Sequence, residues 1–123
     1  MTILITDDFY TNRLQIKLVL QSMGHKTEEA SNGSEAIEKF KKSNYDLLLM
    51  DIEMPVRNGI ETTRYIRKHL KEPKKSVPII AITAHYVDSE MKMKEIGFDG
   101  FIAKPFTREK FESCLEAIKQ GEK

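Results

Sequence analysis

Five residues carry most of the chemistry this sequence could perform: Asp7, Asp8, Asp51, Thr83 and Lys104. Each stands at or just past the end of a short apolar run. Asp7 and Asp8 follow Ile3–Ile5, Asp51 follows Leu47–Met50, Thr83 follows Ile79–Ile82, and Lys104 follows Phe101–Ala103. Three carboxylates brought together repel one another and would tend to hold protons. A hard divalent cation relieves that repulsion, and magnesium prefers carboxylate oxygens, backbone carbonyls and water. Lys104 would then be a point charge for an incoming anion and Thr83 a hydroxyl donor. A metal, an amine and a donor around one carboxylate make a site for phosphoryl transfer, in which the protein mainly positions groups and stabilises charge.

Taken singly, each residue has an ordinary reading. Asp7 and Asp8 could cap a helix, Asp51 could sit in a turn, Thr83 suits a strand, and most lysines are exposed. The joint pattern rests on the elements that must carry it. Five strand-length apolar runs alternate with five amphipathic segments; the weakest run, Thr27–Ala30, suits an edge strand. Three runs are apolar without alternation, as in parallel strands covered on both faces. Strand–helix repeated five times predicts a parallel sheet with right-handed crossovers, and at this size the flavodoxin-like (βα)5 order 2-1-3-4-5. In such sheets, sites form at the carboxyl ends of the strands.

The helical segments have readable boundaries. The first carries Leu14, Leu18 and Val19 as its expected buried stripe and stops at Gly24. The second and third begin at Asn32 and Asn58, each with a glutamate three residues on. They bury Ala36, Ile37 and Phe40, and Ile66 and Leu70, respectively. The fourth is the weakest, with Val87, Met91 and Lys94–Ile96 before Gly97. The fifth starts at Thr107 and carries Phe111, Cys114, Leu115 and Ile118 on one face.

With 123 residues, one domain over residues 1–123 is expected. A net charge of +1 makes nucleic acid and anionic membrane unexpected partners. The single cysteine, Cys114, excludes an intramolecular disulfide and fits a reducing, cytoplasmic setting. The first residues lack the basic and apolar regions of a signal peptide, and no apolar run is long enough to span a membrane.

The motifs Thr6-Asp7-Asp8, Met50-Asp51-Ile52-Glu53-Met54-Pro55 with Gly59, Ile82-Thr83-Ala84 and Lys104-Pro105-Phe106 occur in this order across nearly the whole chain. In that order and spacing the sequence resembles the receiver domain of two-component response regulators, whether stand-alone or attached to a hybrid histidine kinase. The resemblance implies that Asp51 accepts a phosphoryl group from phosphohistidine on a sensor kinase or a histidine phosphotransfer protein. It implies Mg2+, for which Mn2+ could substitute, held by Asp7, Asp8, Asp51 and the Glu53 carbonyl. Lys104, the Thr83 hydroxyl and the Ala84 N–H would take phosphoryl oxygens. The Lys104–Pro105 bond would be cis. Thr83, Phe101 and Pro105 would form the switch, and the fourth helix, fifth strand and fifth helix the output face toward an unidentified target. Glu53 and His85 would border the path of the hydrolytic water and tune the lifetime of the phosphorylated state. Phe9 and Tyr10, where relatives often carry asparagine, would close over the site or contact a partner.

Such a chain is a switch and not a turnover enzyme. The main competing reading is an interaction module of the same fold that works without phosphorylation. An aspartate-nucleophile phosphatase is a weaker rival, because those enzymes are larger and carry a cap. No glycine-rich phosphate loop is present to support a nucleotide-binding protein.

Overall fold

The computed structural model describes residues 1–54, 58–84 and 90–121. Its strands are β1 (Thr2–Thr6), β2 (Lys26–Ala30), β3 (Leu47–Asp51), β4 (Ile79–Thr83) and β5 (Gly100–Ala103). The helices are α1 (Tyr10–Ser22), α2 (Gly33–Lys42), α3 (Gly59–His69), α4 (Glu90–Ile96) and α5 (Arg108–Gly121), with a 3-10 turn at Lys74–Ser76. All strand pairs are parallel, in the order β2-β1-β3-β4-β5. The expected flavodoxin-like topology is therefore the observed one.

The continuous apolar runs are explained by two cores, one on each face of the sheet. Successive strand residues point to opposite faces. Leu48, Met50, Ile79 and Ala81 join Ala36, Phe40, Ile66 and Met93 beneath α2, α3 and α4. Leu47, Leu49, Ile80 and Ile82 join Ile16, Leu20, Phe111 and Leu115 beneath α1 and α5. Both faces of β3 and β4 are buried along their whole length, whereas β2 exposes alternate residues as an edge strand must.

Three of the five starts are capped as the sequence indicates. Asn32 Oδ1 accepts the Glu35 N–H at 2.8 Å, and Asn58 Oδ1 accepts the Glu61 N–H at 2.9 Å. Thr107 Oγ1 accepts the Lys110 N–H at 3.3 Å. The first helix differs: Phe9 stands at its N-cap with no side-chain cap. Neither aspartate before it serves as a helix cap.

The buried face of α1 is not the expected one. Leu14 and Leu18 are exposed, Leu18 by 58%, while Ile16 and Leu20 are fully buried, with Val19 and Met23 packed beside them. Both stripes have helical spacing, and the sheet selects the second. In α4, Met93 is buried and Met91 is 75% exposed; Val87 lies outside the described residues. Gly97 closes α4 with φ +121°, a conformation side chains rarely adopt, and a Cβ there would meet Arg67 Cγ at 2.8 Å. The Arg67 guanidinium donates to the Gly97, Lys75 and Val77 carbonyls and to Asp99, tying the ends of α3 and α4 together.

Candidate phosphoryl-transfer site

The topology brings four strand ends to one edge. Asp7 and Asp8 leave β1, Asp51 and Thr83 are the last residues of β3 and β4, and Lys104 follows β5. Asp7, Asp8 and Asp51 each place a carboxylate oxygen so that all three lie within 4.8 Å of one another. Asp7 and Thr83 are fully or almost fully buried, and Asp51 is only 8% exposed. Ala84 and Glu53 are exposed beside them. From β2, the last residue, Ala30, accepts the Asp7 N–H at 3.1 Å.

Local hydrogen bonds orient the Asp7 and Asp51 carboxylates. Asp7 Oδ1 accepts the Phe9 N–H at 2.9 Å and the Asn12 amide at 3.4 Å. Asp51 Oδ1 accepts the Glu53 N–H at 2.9 Å. Asp7 Oδ2 and Asp8 Oδ1 are buried without a partner, as is Thr6 Oγ1 next to them. Buried polar atoms are normally paired, so two orphaned carboxylate oxygens facing a third carboxylate need an explanation.

Electrostatics point the same way. Burial, reinforced by repulsion from Asp7 and Asp8, pushes the Asp51 carboxyl up to about 7. Burial also raises Asp7, against the lowering effect of its hydrogen bonds to Phe9 and Asn12 and of Lys104. All donors in the cluster are hard oxygens, the set that suits Mg2+ and not a soft metal. The orphaned oxygens and the mutual repulsion fit a divalent cation.

Lys104 is held by its backbone, its N–H donating to the Thr83 carbonyl at 3.0 Å. Its ammonium stands over the Phe106 ring, 5.8 Å from the centroid, and lowers the carboxyl pKa of both Asp7 and Asp51. The Lys104–Pro105 peptide is cis, as expected; Glu72–Pro73 is cis as well. Phe101 is partly buried and packs against the core under α2, α3 and α4. His85 lies outside the described residues. Phe9 and Tyr10 are 61% and 62% exposed, at the rim of the site.

Two contributors were not legible beforehand. Asn12 reaches Asp7 from the first turn of α1. Arg13 donates to the Asp7 carbonyl at 2.7 Å and pairs with Glu29 of β2 at 3.0 Å, fixing the chain between the two strands. Their signal was spacing: they lie five and six residues beyond Asp7, in the first turn of a helix leaving the site, where side chains tilt back toward the N-terminus. Cys114 is half-buried, and burial pushes its thiol up to about 11, so it is protonated and unreactive at neutral pH.

A doubly wound parallel sheet with an acidic cluster, a hydroxyl and a lysine at its carboxyl edge makes this a small flavodoxin-like α/β fold with its polar site at the strand ends. Comparison with known proteins gives the family. The family model for the response regulator receiver domain matches residues 3–116, and the chain belongs to that family. It is therefore a receiver domain of two-component signalling. Histidine kinase 5 of Arabidopsis thaliana is 33% identical over 93% of this chain; the match spans only 15% of that protein. Among solved structures, the receiver domain of the sensor histidine kinase PA1611 from Pseudomonas aeruginosa PAO1, with a magnesium ion coordinated in its active-site cleft, is 32% identical. It aligns with a TM-score of 0.83 over 94% of each chain. The response regulator TrrA of Thermotoga maritima, in complex with Mg2+ and BeF, is 36% identical with a TM-score of 0.79 over 97% of this chain and 96% of that one. Among the described residues no helix is long and apolar enough to cross a membrane.

Proposed function

We propose that residues 1–123 act as one phosphoacceptor switch, in which Asp51 takes a phosphoryl group from a phosphohistidine donor. The observation that carries this reading is the buried three-carboxylate cluster with its orphaned oxygens, at the sheet edge where β4 ends in Thr83 and β5 leads into Lys104. Asp7, Asp8, Asp51 and the Glu53 carbonyl would hold Mg2+, which when bound supplies charge neutralisation for the carboxylates and the incoming phosphoryl oxygens.

The residues divide the remaining work. An Asp51 oxygen forms the new bond to phosphorus as the P–N bond to the donor imidazole breaks; the imidazole leaves with the bonding pair and takes up a proton. Lys104 offers its ammonium to one phosphoryl oxygen, and the Thr83 hydroxyl and Ala84 N–H serve the others. Burial of Asp51 keeps bulk water from the new acyl phosphate. Donor access is over the rim where Phe9 and Tyr10 are exposed and continue into exposed Leu14 and Leu18 of α1. Charge gained at Asp51 draws Thr83 toward it and biases Phe101 on β5. The face made by α4, β5 and α5 would read out the change; it carries a groove of about 1130 Å³ lined by Met93, Phe101, Cys114 and Ile118. The chain works as a switch and not by turnover.

The test is intact mass after incubation with acetyl phosphate, or with a phosphorylated histidine phosphotransfer protein, in Mg2+, in Mn2+ and in EDTA. A gain of one phosphoryl group that requires the divalent ion is expected. A folded, metal-binding protein that gains nothing from either donor would favour the phosphorylation-independent interaction module.

Glu53 is exposed two residues beyond Asp51; by the family resemblance, its side chain and that of His85 would set the lifetime of the phosphorylated state. Glu53→Ala is expected to change the decay rate several-fold while phosphorylation persists. An unchanged decay in both Glu53→Ala and His85→Ala would remove these residues from that role.

A further inference from the structure

Lys110 occupies an unfavourable place for a cation. It lies in the first turn of α5, where the helix dipole disfavours positive charge. Its ammonium turns back and donates to the carbonyls of Ala103 at 2.8 Å and Pro105 at 3.0 Å. These are the peptide oxygens of the residues on either side of Lys104. Two of the three donors of one ammonium are thus spent on the loop that carries the other.

Other ties among the described residues hold that loop as well. The Lys104 N–H is bonded to the Thr83 carbonyl, and Phe106 packs against Phe111 at a centroid distance of 6.1 Å. Lys110 therefore links the start of α5 directly to the carbonyls of both residues flanking Lys104. The Lys104 side chain is long and turns on four single bonds, so its reach depends on where its Cα is held. We propose that Lys110 is a positioning residue for Lys104, fastening the β5–α5 loop so that the Lys104 ammonium stands where a phosphoryl oxygen on Asp51 can meet it. This rests on the phosphoacceptor reading above. Lys110 touches no reacting atom.

Lys110→Met keeps the straight stem and removes the donors, Lys110→Gln is a second variant against misfolding, and Lys110→Arg restores a cation. Phosphorylation rates by acetyl phosphate in Mg2+ are measured against donor concentration, and Mg2+ affinity is measured by calorimetry. The saturating rate is expected to fall about tenfold in Lys110→Met and Lys110→Gln, since misplacing a reactive group by about 1 Å costs up to 10²-fold. Mg2+ affinity stays within about twofold, because Lys110 does not touch the carboxylates, and Lys110→Arg recovers most of the rate. In a Lys104→Ala background, removing Lys110 is expected to change nothing further, as for a residue that acts through its neighbour. A wild-type rate in both donor-less variants overturns the proposal, and so does an equal loss in the Lys104→Ala background. No phosphorylation of the wild type itself overturns the phosphoacceptor reading and this proposal with it.

Discussion

Replacing Asp51 by asparagine is expected to abolish the gain of a phosphoryl group and, in the absence of metal, to stabilise the fold at neutral and alkaline pH. The first effect follows from the nucleophile: an amide oxygen does not form the acyl phosphate. The second follows from burial. In the folded protein Asp51 is 8% exposed and its carboxyl is pushed up to about 7, from an ordinary value of 3.8. The folded state therefore binds more protons than the unfolded chain between those two values, and stability falls as pH rises through that window. Three pKa units correspond to about 4 kcal/mol, an upper bound for the cost of ionising this group above pH 7. Asparagine is nearly isosteric, can still accept the Glu53 N–H and carries no charge toward Asp7 and Asp8.

Urea unfolding in EDTA at pH 8 is thus expected to show Asp51→Asn more stable than the wild type by about 2 kcal/mol, with the gap closing toward pH 4. Adding Mg2+ should stabilise the wild type, because an ion that binds only the folded state shifts the equilibrium; it should help Asp51→Asn less. Equal stability of the two proteins at pH 8 in EDTA would mean that the cluster is not under electrostatic stress. The implied case for a divalent ion would fall with it. Mass gain in Asp51→Asn would place the phosphoryl group elsewhere.

The reason this site was readable from sequence is that its parts sit at fixed points of a regular frame. Runs such as Leu47–Met50 and Ile79–Ile82 have no alternation, because both faces of β3 and β4 are covered, and that marks them as central strands. Once their ends are known, Asp51, Thr83 and Lys104 share an edge by topology alone. Helix starts at Asn32, Asn58 and Thr107 were equally readable, since capping is a local interaction. The face of α1 was not. Leu14 and Leu18 have the same spacing as Ile16 and Leu20, and only the sheet beneath decides between them. The support given by Asn12, Arg13 and Lys110 escaped for a related reason: the reach of a long polar side chain depends on which backbone groups the fold brings near it. Phe9 and Tyr10 follow Asp8 in sequence, but α1 turns them outward onto the rim.

Gly59 carries the other large expected effect. Its φ is negative, so the backbone itself would accept any residue; the constraint is steric. A Cβ at this position would lie 2.3 Å from the Asp51 carbonyl oxygen, 2.9 Å from the Asp51 carbonyl carbon and 2.8 Å from Met50 Cγ. The nearest obstacle is main chain at the end of β3, which cannot swing aside as a side-chain tip can. Gly59 is also the first residue of α3, directly after the Asn58 cap, so the helix is fixed where the clash occurs. Gly59→Ala must therefore shift either the first turn of α3 or the peptide that carries the phosphoacceptor. Overpacking of this kind costs about 1–3 kcal/mol, and a displacement of Asp51 by about 1 Å is expected to slow phosphorylation by up to 10²-fold in the molecules that remain folded. Gly24→Ala is the matched control. Gly24 has φ +90° with nothing within 4 Å of the added Cβ, and it lies at the far end of α1. That substitution is expected to lower the urea midpoint through backbone strain and leave the phosphorylation rate of the folded protein unchanged. If Gly59→Ala behaves like Gly24→Ala, with stability lost and the rate kept, then α3 yields and the end of β3 does not. Loss of both ties the start of α3 to the placement of Asp51.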